Sequence, residues 1–391
     1  MQIENGLVFQ DGAFTRGDVV IEGDRVADVR LRDGEKPQPG ASSPDGGVAC
    51  EGAQPFVDAS GCYVVPGFID LHFHGCLGSD FCDGTLDAVR TLARYEASRG
   101  VTAICPATMT FPEEKLASVM DAAAAFAPGE GEAALVGINM EGPFISPRKV
   151  GAQNPAYVQP CDAAMVRRLQ ERSGGLVKLV DVAPEEQGAL DFIREMAGEV
   201  RISLAHTCAD YDTASAAYAA GARQATHLCN AMPPLHHREP GVIGAAYDSG
   251  DACVELICDG VHVHPSMARI VFGLFGDSRV ILISDTMEAA GLTDGEYELG
   301  GQAVTVKGNR ATLHDGTIAG SVTDLAACVQ IAVCDMGIPL ESAIRAATEN
   351  PARALGLFDC RGSIASGKVA DIVVLDEQLN VRDVIVRGRL I

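Results

Sequence analysis

Between residues 68 and 283 short apolar runs alternate with longer alanine-rich amphipathic stretches, and this rhythm constrains the fold more than any other feature of the chain. The runs are Phe68 to Leu71, Val101 to Cys105, Leu135 to Asn139, Val177 to Val180, Ile202 to Ala205, Gln224 to Thr226, Cys253 to Ile257 and Val280 to Ile283. Most are continuously apolar rather than alternating, as expected of parallel strands covered on both faces. Each is followed by enough chain for a crossover helix, giving about eight βα units, the count of a closed parallel barrel. A doubly wound open sheet is the alternative, but no GxGxxG follows the first strand.

Both ends of the chain read differently. Leu7 to Phe9, Gly17 to Glu22 and Arg25 to Val29 alternate in strand fashion between Gly and Asp turns, and Ala370 to Leu375 and Val384 to Gly388 return to that style. Two β-rich ends around a βα middle point to a small β domain made from both termini. Residues 33–54, rich in Gly, Pro, Ser and Asp, read as a surface loop. The 391 residues suit a barrel of about 250 plus a smaller domain. With 47% hydrophobic residues and no Trp, the core must be built from Ala, Val, Ile and Leu.

Thirty basic against 53 acidic residues leave a net charge of −23, which repels nucleic acid and anionic lipid. An anionic ligand would need a local basic pocket. No apolar stretch approaches the length of a membrane span. Met1 to Asn5 lacks the basic start and apolar run of a signal peptide, so the cytoplasm is the expected location. The 13 Cys contain no CxxC pair and read as small buried thiols rather than a disulfide framework or zinc ribbon.

Active-site groups of a parallel barrel sit at the C-terminal ends of its strands. His72 and His74 follow the first run, Glu141 the third, His206 the fifth, His227 the sixth and Asp285 the eighth. His-x-His on an extended segment points both rings to one side. A single His at a strand end is as readily a hydrogen-bonded structural residue. Four His, a Glu and an Asp at predicted strand ends together form a donor set for a divalent transition metal such as zinc or iron.

At these residues the sequence resembles a known family. Pro66 to Gly75 is similar to the opening signature of the amidohydrolase superfamily. Met140-Glu141-Gly142-Pro143-Phe144-Ile145, His206-Thr207, Thr226 to Met232, Arg238 to Gly241, Asp259 to Val263 and Ser284-Asp285 resemble the N-acetylglucosamine-6-phosphate deacetylases. The likeness continues through Asn350 to Gly356 and Gly367 to Asp371, so it covers nearly the whole chain.

That resemblance implies an α/β fold: a (β/α)8 TIM barrel with a small β-sandwich formed from both chain termini, the barrel over 61–354 and the sandwich over 1–60 and 355–391. It implies hydrolysis of N-acetylglucosamine 6-phosphate to glucosamine 6-phosphate and acetate, and a homodimer. Glu141, His206 and His227 would hold the principal metal, most simply zinc with iron the alternative. His72 and His74, absent from some members, would allow a second ion. No Lys stands where related hydrolases carry a carboxylated one; Glu141 takes that place. Asp285 becomes the acid/base, drawing a proton from the attacking water and passing it to the leaving amine; a further ligand or a helix cap is its plainer reading.

Arg238 and His262 resemble the residues that bind phosphate and sugar, with Asn230 and Ala231 as further donors. His262 could equally be a buried structural residue. Ile318 and Ala319 resemble the segment that closes over the sugar. In the loop after Glu-Gly-Pro, Gln153 follows Ala152 where some members carry His. Gln can donate a hydrogen bond there but cannot become cationic. His236, His237, His264 and His314 read as surface or structural. The competing readings are another amidohydrolase, such as an N-acyl-amino-acid deacylase, and a non-catalytic scaffold.

Overall fold

The computed structural model describes residues 1–32 and 56–391; the loop expected over 33–54 lies outside them. Strands Phe68–Asp70, Val101–Ile104 and Ala134–Leu135 form one parallel sheet. Ile138–Met140, Val177–Val182, Arg201–Leu204, Gln224–Ala225, Cys253–Ile257 and Val280–Ile283 form another, in sequence order. The two sheets meet along both margins. On one side Ala107 bridges Asn139 in parallel, and the Thr108 amide donates to the Asn139 carbonyl at 2.8 Å. On the other the Asp285 amide donates to the His72 carbonyl at 3.0 Å, and the His74 amide to the Thr286 carbonyl at 2.7 Å. Asp70 ties the first strand to the last, its carboxylate accepting from the amides of His72 and Ser284. The result is a curled parallel sheet in a mixed α/β fold.

The third expected run is broken in two. At Gly137 the backbone passes so near its neighbours that a Cβ would lie 2.7 Å from a Lys178 side-chain carbon and 2.9 Å from Cys105 Sγ. Only glycine lets the chain step sideways here before the strand resumes at Ile138.

Val280–Ile283 is buried at every position, as a continuous Val-Ile-Leu-Ile run predicts for a strand covered on both faces. Inside the curl Ile69, Leu71, Leu179, Ile257, Ile281 and Ile283 share one cluster, while a larger core fills the space between strands and helices. Side-chain oxygens cap several of those helices. Thr85 accepts from the Ala88 amide ahead of Leu86–Ser98, Asp162 from Met165 ahead of Ala163–Arg172, and Asp210 from Thr213 ahead of Tyr211–Ala220. Asn350, in Glu349–Ala354, donates to the carbonyls of Asp277 and Val280 and pins the base of the last strand.

The chain ends build a separate eight-stranded sheet. Its order is Arg389–Leu390, Val381–Val386, Ile372–Leu375, Tyr63–Pro66, Gln2–Gln10, Ala13–Glu22 and Arg25–Leu31, with Phe56–Asp58 also paired to Gln2–Gln10. Gln10 and Ala13 are joined by Asp11 and Gly12, both at positive φ, the two-residue turn whose twist suits a hairpin. Ile3, Val8, Val19, Val64, Ile372 and Ile385 pack together beneath it. A three-stranded antiparallel insertion, Gly295–Leu299, Gln302–Lys307 and Arg310–Thr312, follows Val280–Ile283 and was not foreseen from the sequence. No helix of the described residues is long and apolar enough to cross a membrane. The 12 described cysteines are all free thiols, half of them buried.

Candidate metal centre

The residues expected at strand ends converge. His206 Nε2 and His227 Nε2 lie 2.9 and 3.1 Å from Glu141 Oε1, and 3.2 Å from each other. His74 Nε2 is 3.3 Å from both Glu141 Oε2 and Asp285 Oδ1, and His72 Nε2 is 3.7 Å from Glu141 Oε1. Two trios therefore share Glu141, and within each the ligand atoms lie no more than 4.8 Å apart. All six side chains are buried. His206, His227 and Asp285 take positive φ, of 43°, 29° and 52°. Left-handed backbone at such residues costs about 1–2 kcal/mol each and is tolerated where it aims a functional side chain.

The donor set fits a divalent cation. His206 Nδ1 must donate to the Lys149 carbonyl, so the neutral ring turns an Nε2 lone pair toward Glu141 Oε1 and His227 Nε2, where a cation could take it. His72 Nε2 is buried with no hydrogen-bond partner. Burial disfavours charge on Glu141, but the facing imidazoles outweigh it and hold the carboxylate well below its usual range. Asp285 is likewise lowered, burial being overcome by the His74 hydrogen bond and the neighbouring imidazoles. Burial would lower His74, yet its bonds to Asp285 and Glu141 push it up to about 10. Carboxylates that draw protons so strongly onto imidazoles would draw a metal cation in their place. Two of the outer nitrogens are held: His206 Nδ1 by the Lys149 carbonyl at 2.9 Å and His72 Nδ1 by Glu255 at 3.0 Å.

A cavity of about 470 Å³ opens over this floor, lined by His74, Glu141, His206, His227 and Asp285. Ala152, Gln153, Asn230, Ala231, His262 and Ile318 line its walls, so most of the expected substrate residues are brought to one place. Ala319 is fully buried and does not face the cavity. Arg238 is not among the lining residues either; it lies on the loop that carries Asn230 and Ala231 inward, its Nη1 2.8 Å from His237 Nε2.

Gln153 is committed on both sides of its amide. Nε2 donates to Glu141 Oε2 at 2.6 Å, and Oε1 accepts from the Thr110 amide at 2.7 Å. It therefore steadies the shared carboxylate. His262 Nδ1 bonds Asp259 Oδ2 at 2.7 Å. Burial would lower this imidazole, but the Asp259 bond and charge, with Asp285 behind, raise it.

Sequence reasoning missed Arg148 and Lys149, the Arg and Lys that line the cavity, and Glu255 and Asp259 behind His72 and His262. Glu255 did carry a signal: a charge inside an otherwise apolar strand. The inserted sheet matters here as well, since Leu299 lines the cavity and Gln302 donates to the carbonyls of Ala152 and Gln153.

A parallel α/β sheet with His and carboxylate ligands at its strand ends is the arrangement of a metal-dependent hydrolase, and the chain belongs to the amidohydrolase family, whose sequence model matches residues 63–391. It is 39% identical to the N-acetylglucosamine-6-phosphate deacetylase of Bacillus subtilis (strain 168) over 332 residues, 84% of each chain. It is 36% identical to the N-acetylgalactosamine-6-phosphate deacetylase of Escherichia coli O157:H7, covering 84% of this chain and 87% of that one. Among solved structures, a variant of the Mycobacterium smegmatis N-acetyl-D-glucosamine-6-phosphate deacetylase in complex with N-acetyl-D-glucosamine-6-phosphate is similar at TM-score 0.89 and 34% identity, covering 100% of this chain and 98% of that one.

Proposed function

We propose that the protein hydrolyses N-acetylglucosamine 6-phosphate to glucosamine 6-phosphate and acetate in amino-sugar catabolism. The observation that carries this is the convergence of Glu141, His206 and His227 within about 3 Å beside Asp285, at the base of a cavity of sugar-phosphate size. Glu141, His206 and His227 would hold a principal ion, and Glu141 with His72 and His74 a second, zinc suiting the nitrogen–carboxylate donors and iron being the alternative. A divalent ion there supplies Lewis acidity and lowers the pKa of water toward ~7.

The chain's own groups do the rest. Asp285, held as carboxylate, accepts a proton from the attacking water as the new C–O bond forms at the acetyl carbonyl. It returns that proton to the amide nitrogen as the C–N bond breaks, so the amine leaves neutral. Gln153 keeps Glu141 in place meanwhile. Asn230, Ala231 and His262 would receive the sugar phosphate, with Ile318 closing over it, and Arg148 and Lys149, with Arg238 on the loop beside them, would supply positive charge otherwise scarce in a chain of −23.

The curled sheet supports a closed (β/α)8 barrel over 61–354, and the joined chain ends support the β-sandwich of 1–60 and 355–391. A cytoplasmic homodimer completes the reading. The galactosamine relative favours one second possibility, the 4-epimeric substrate. Rates of acetate release from both 6-phosphates and from the unphosphorylated sugars, measured with metal content, test the assignment. No release from either phosphate by metal-loaded enzyme would sink it.

A further inference from the structure

Glu255 lies in the middle of Cys253–Ile257 between Val254 and Leu256, fully buried. A buried carboxylate is kept only where several donors satisfy it. Here Oε2 accepts from His72 Nδ1 at 3.0 Å and from the His227 amide at 3.2 Å, and Oε1 accepts from Gln224 Nε2. Gln224 in turn accepts from Arg201 Nε at 2.7 Å, so a chain of hydrogen bonds runs from Arg201 to His72.

The bond to His72 decides a tautomer. A carboxylate can only accept, so His72 Nδ1 must carry a proton, and Nε2, which faces Glu141 and Asp285, is left as the nitrogen whose lone pair an ion would take. Nε2 is the buried atom with no hydrogen-bond partner. A rival stands beside it: Asn139 Nδ2 lies 3.3 Å from the same Nδ1. Were Glu255 unable to accept, the Asn139 amide would donate to Nδ1, and the proton would move to Nε2, where it would face the incoming ion. In the Glu141–His206–His227 trio neither ring takes its tautomer from Glu255: His206 Nδ1 is held by a main-chain carbonyl, and Glu255 reaches His227 only through its main-chain amide.

We infer that Glu255 is a positioning residue that keeps His72 in its metal-binding tautomer and so determines whether the chain takes up a second ion. The inference rests on the two-ion reading above. It also makes the two sites separable by one substitution outside the first ring of ligands.

The test is a Zn2+ titration of chelator-stripped protein against a competing chromophoric chelator, read as ions bound and affinity for each, with thermal melting alongside. Wild type should bind two ions. Glu255→Gln should weaken the second about 10–100-fold and leave the first within about threefold. Gln at 255 sets an amide donor against the Gln224 donor, so the exchange variant Glu255→Gln/Gln224→Glu is measured as well. Its amide oxygen can still accept from His72 while Glu at 224 accepts from both the new amide and Arg201. The exchange should fold and recover the second ion to within about tenfold of wild type. Two ions bound at wild-type affinity by Glu255→Gln would overturn the assignment alone, as would a folded exchange variant that binds only one. A wild type that binds a single ion would overturn the two-ion reading with it.

Discussion

On the cavity floor His206 Nε2, His227 Nε2 and Glu141 Oε1 lie within 3.2 Å of one another, the His206 ring held from behind by the Lys149 carbonyl, the His227 main chain by Glu255 and the Glu141 carboxylate by Gln153. On the loops above, Arg148 leaves 67% of its side chain exposed with its nearest carboxylate, Glu185, 4.0 Å away, and the Arg238 guanidinium lies against the neighbouring His237 at 2.8 Å. The floor is assembled from strand ends that backbone hydrogen bonds hold in register. The cations come from the loops above it. A site divided this way keeps its reaction fixed while substrate choice is set by a few exposed side chains.

If that division holds, floor substitutions abolish turnover and loop substitutions redirect it. Glu141→Ala should lose the principal ion and fall to background turnover, whereas His72→Ala should reduce only a second occupancy. Elemental analysis of each purified variant decides, and equal loss of all metal would mean one shared cluster. Asp285→Asn should keep its metal and its fold and lose at least ~10²–10⁴-fold in kcat, since an amide cannot shuttle the proton. More than about a tenth of the wild-type rate would remove Asp285 from that role.

On the loops, Arg238→Ala and Arg148→Ala should each cost about tenfold to a hundredfold in kcat/KM on the phosphorylated substrate and spare the unphosphorylated one. An arginine whose removal leaves the ratio of the two unchanged does not touch the phosphate. The smallest effect belongs to pH. His262 is raised above 6.5, so its cation, and the grip it offers a phosphate, is fully present in acid and lost as pH rises through the raised value. Preference for the phosphorylated substrate should therefore fall by roughly twofold to tenfold across that range. His262→Gln should flatten the profile; a slope that survives the substitution belongs to another group. The stability this pair contributes follows the same sign on the histidine side, and on the Asp259 side is lost as pH falls through that lowered value.

The floor was legible in the sequence because each candidate ligand closes an apolar run, and the runs announce their own ends: Val280–Ile283 stops one residue short of Asp285. The loops were less so. Arg238 stands 11 positions after His227, but spacing along a loop does not say which way its side chain faces. The inserted Gly295–Thr312 strands did carry a signal, since Glu296 to Leu299 and Val304 to Val306 alternate and Gly300-Gly301 and Gly308-Asn309 are hairpin turns, but they break the βα rhythm that organised the reading. Glu255 went unnoticed because a charge within an apolar strand has meaning only once its partners, 31 and 183 positions away, are in view.

One consequence of the terminal sheet concerns time rather than shape. Tyr63–Pro66 leads straight into Phe68–Asp70, yet its partner on one side, Ile372–Leu375, is made by the ribosome only after every strand of the curled sheet. During synthesis the first strands must wait with an open edge that the C-terminal strands alone can cover. An edge of that kind is where newly made chains stick to one another. Val64 and Val374, 310 positions apart, thus pair only after the curled sheet has been made, and until then this chain most needs to be kept apart from its copies.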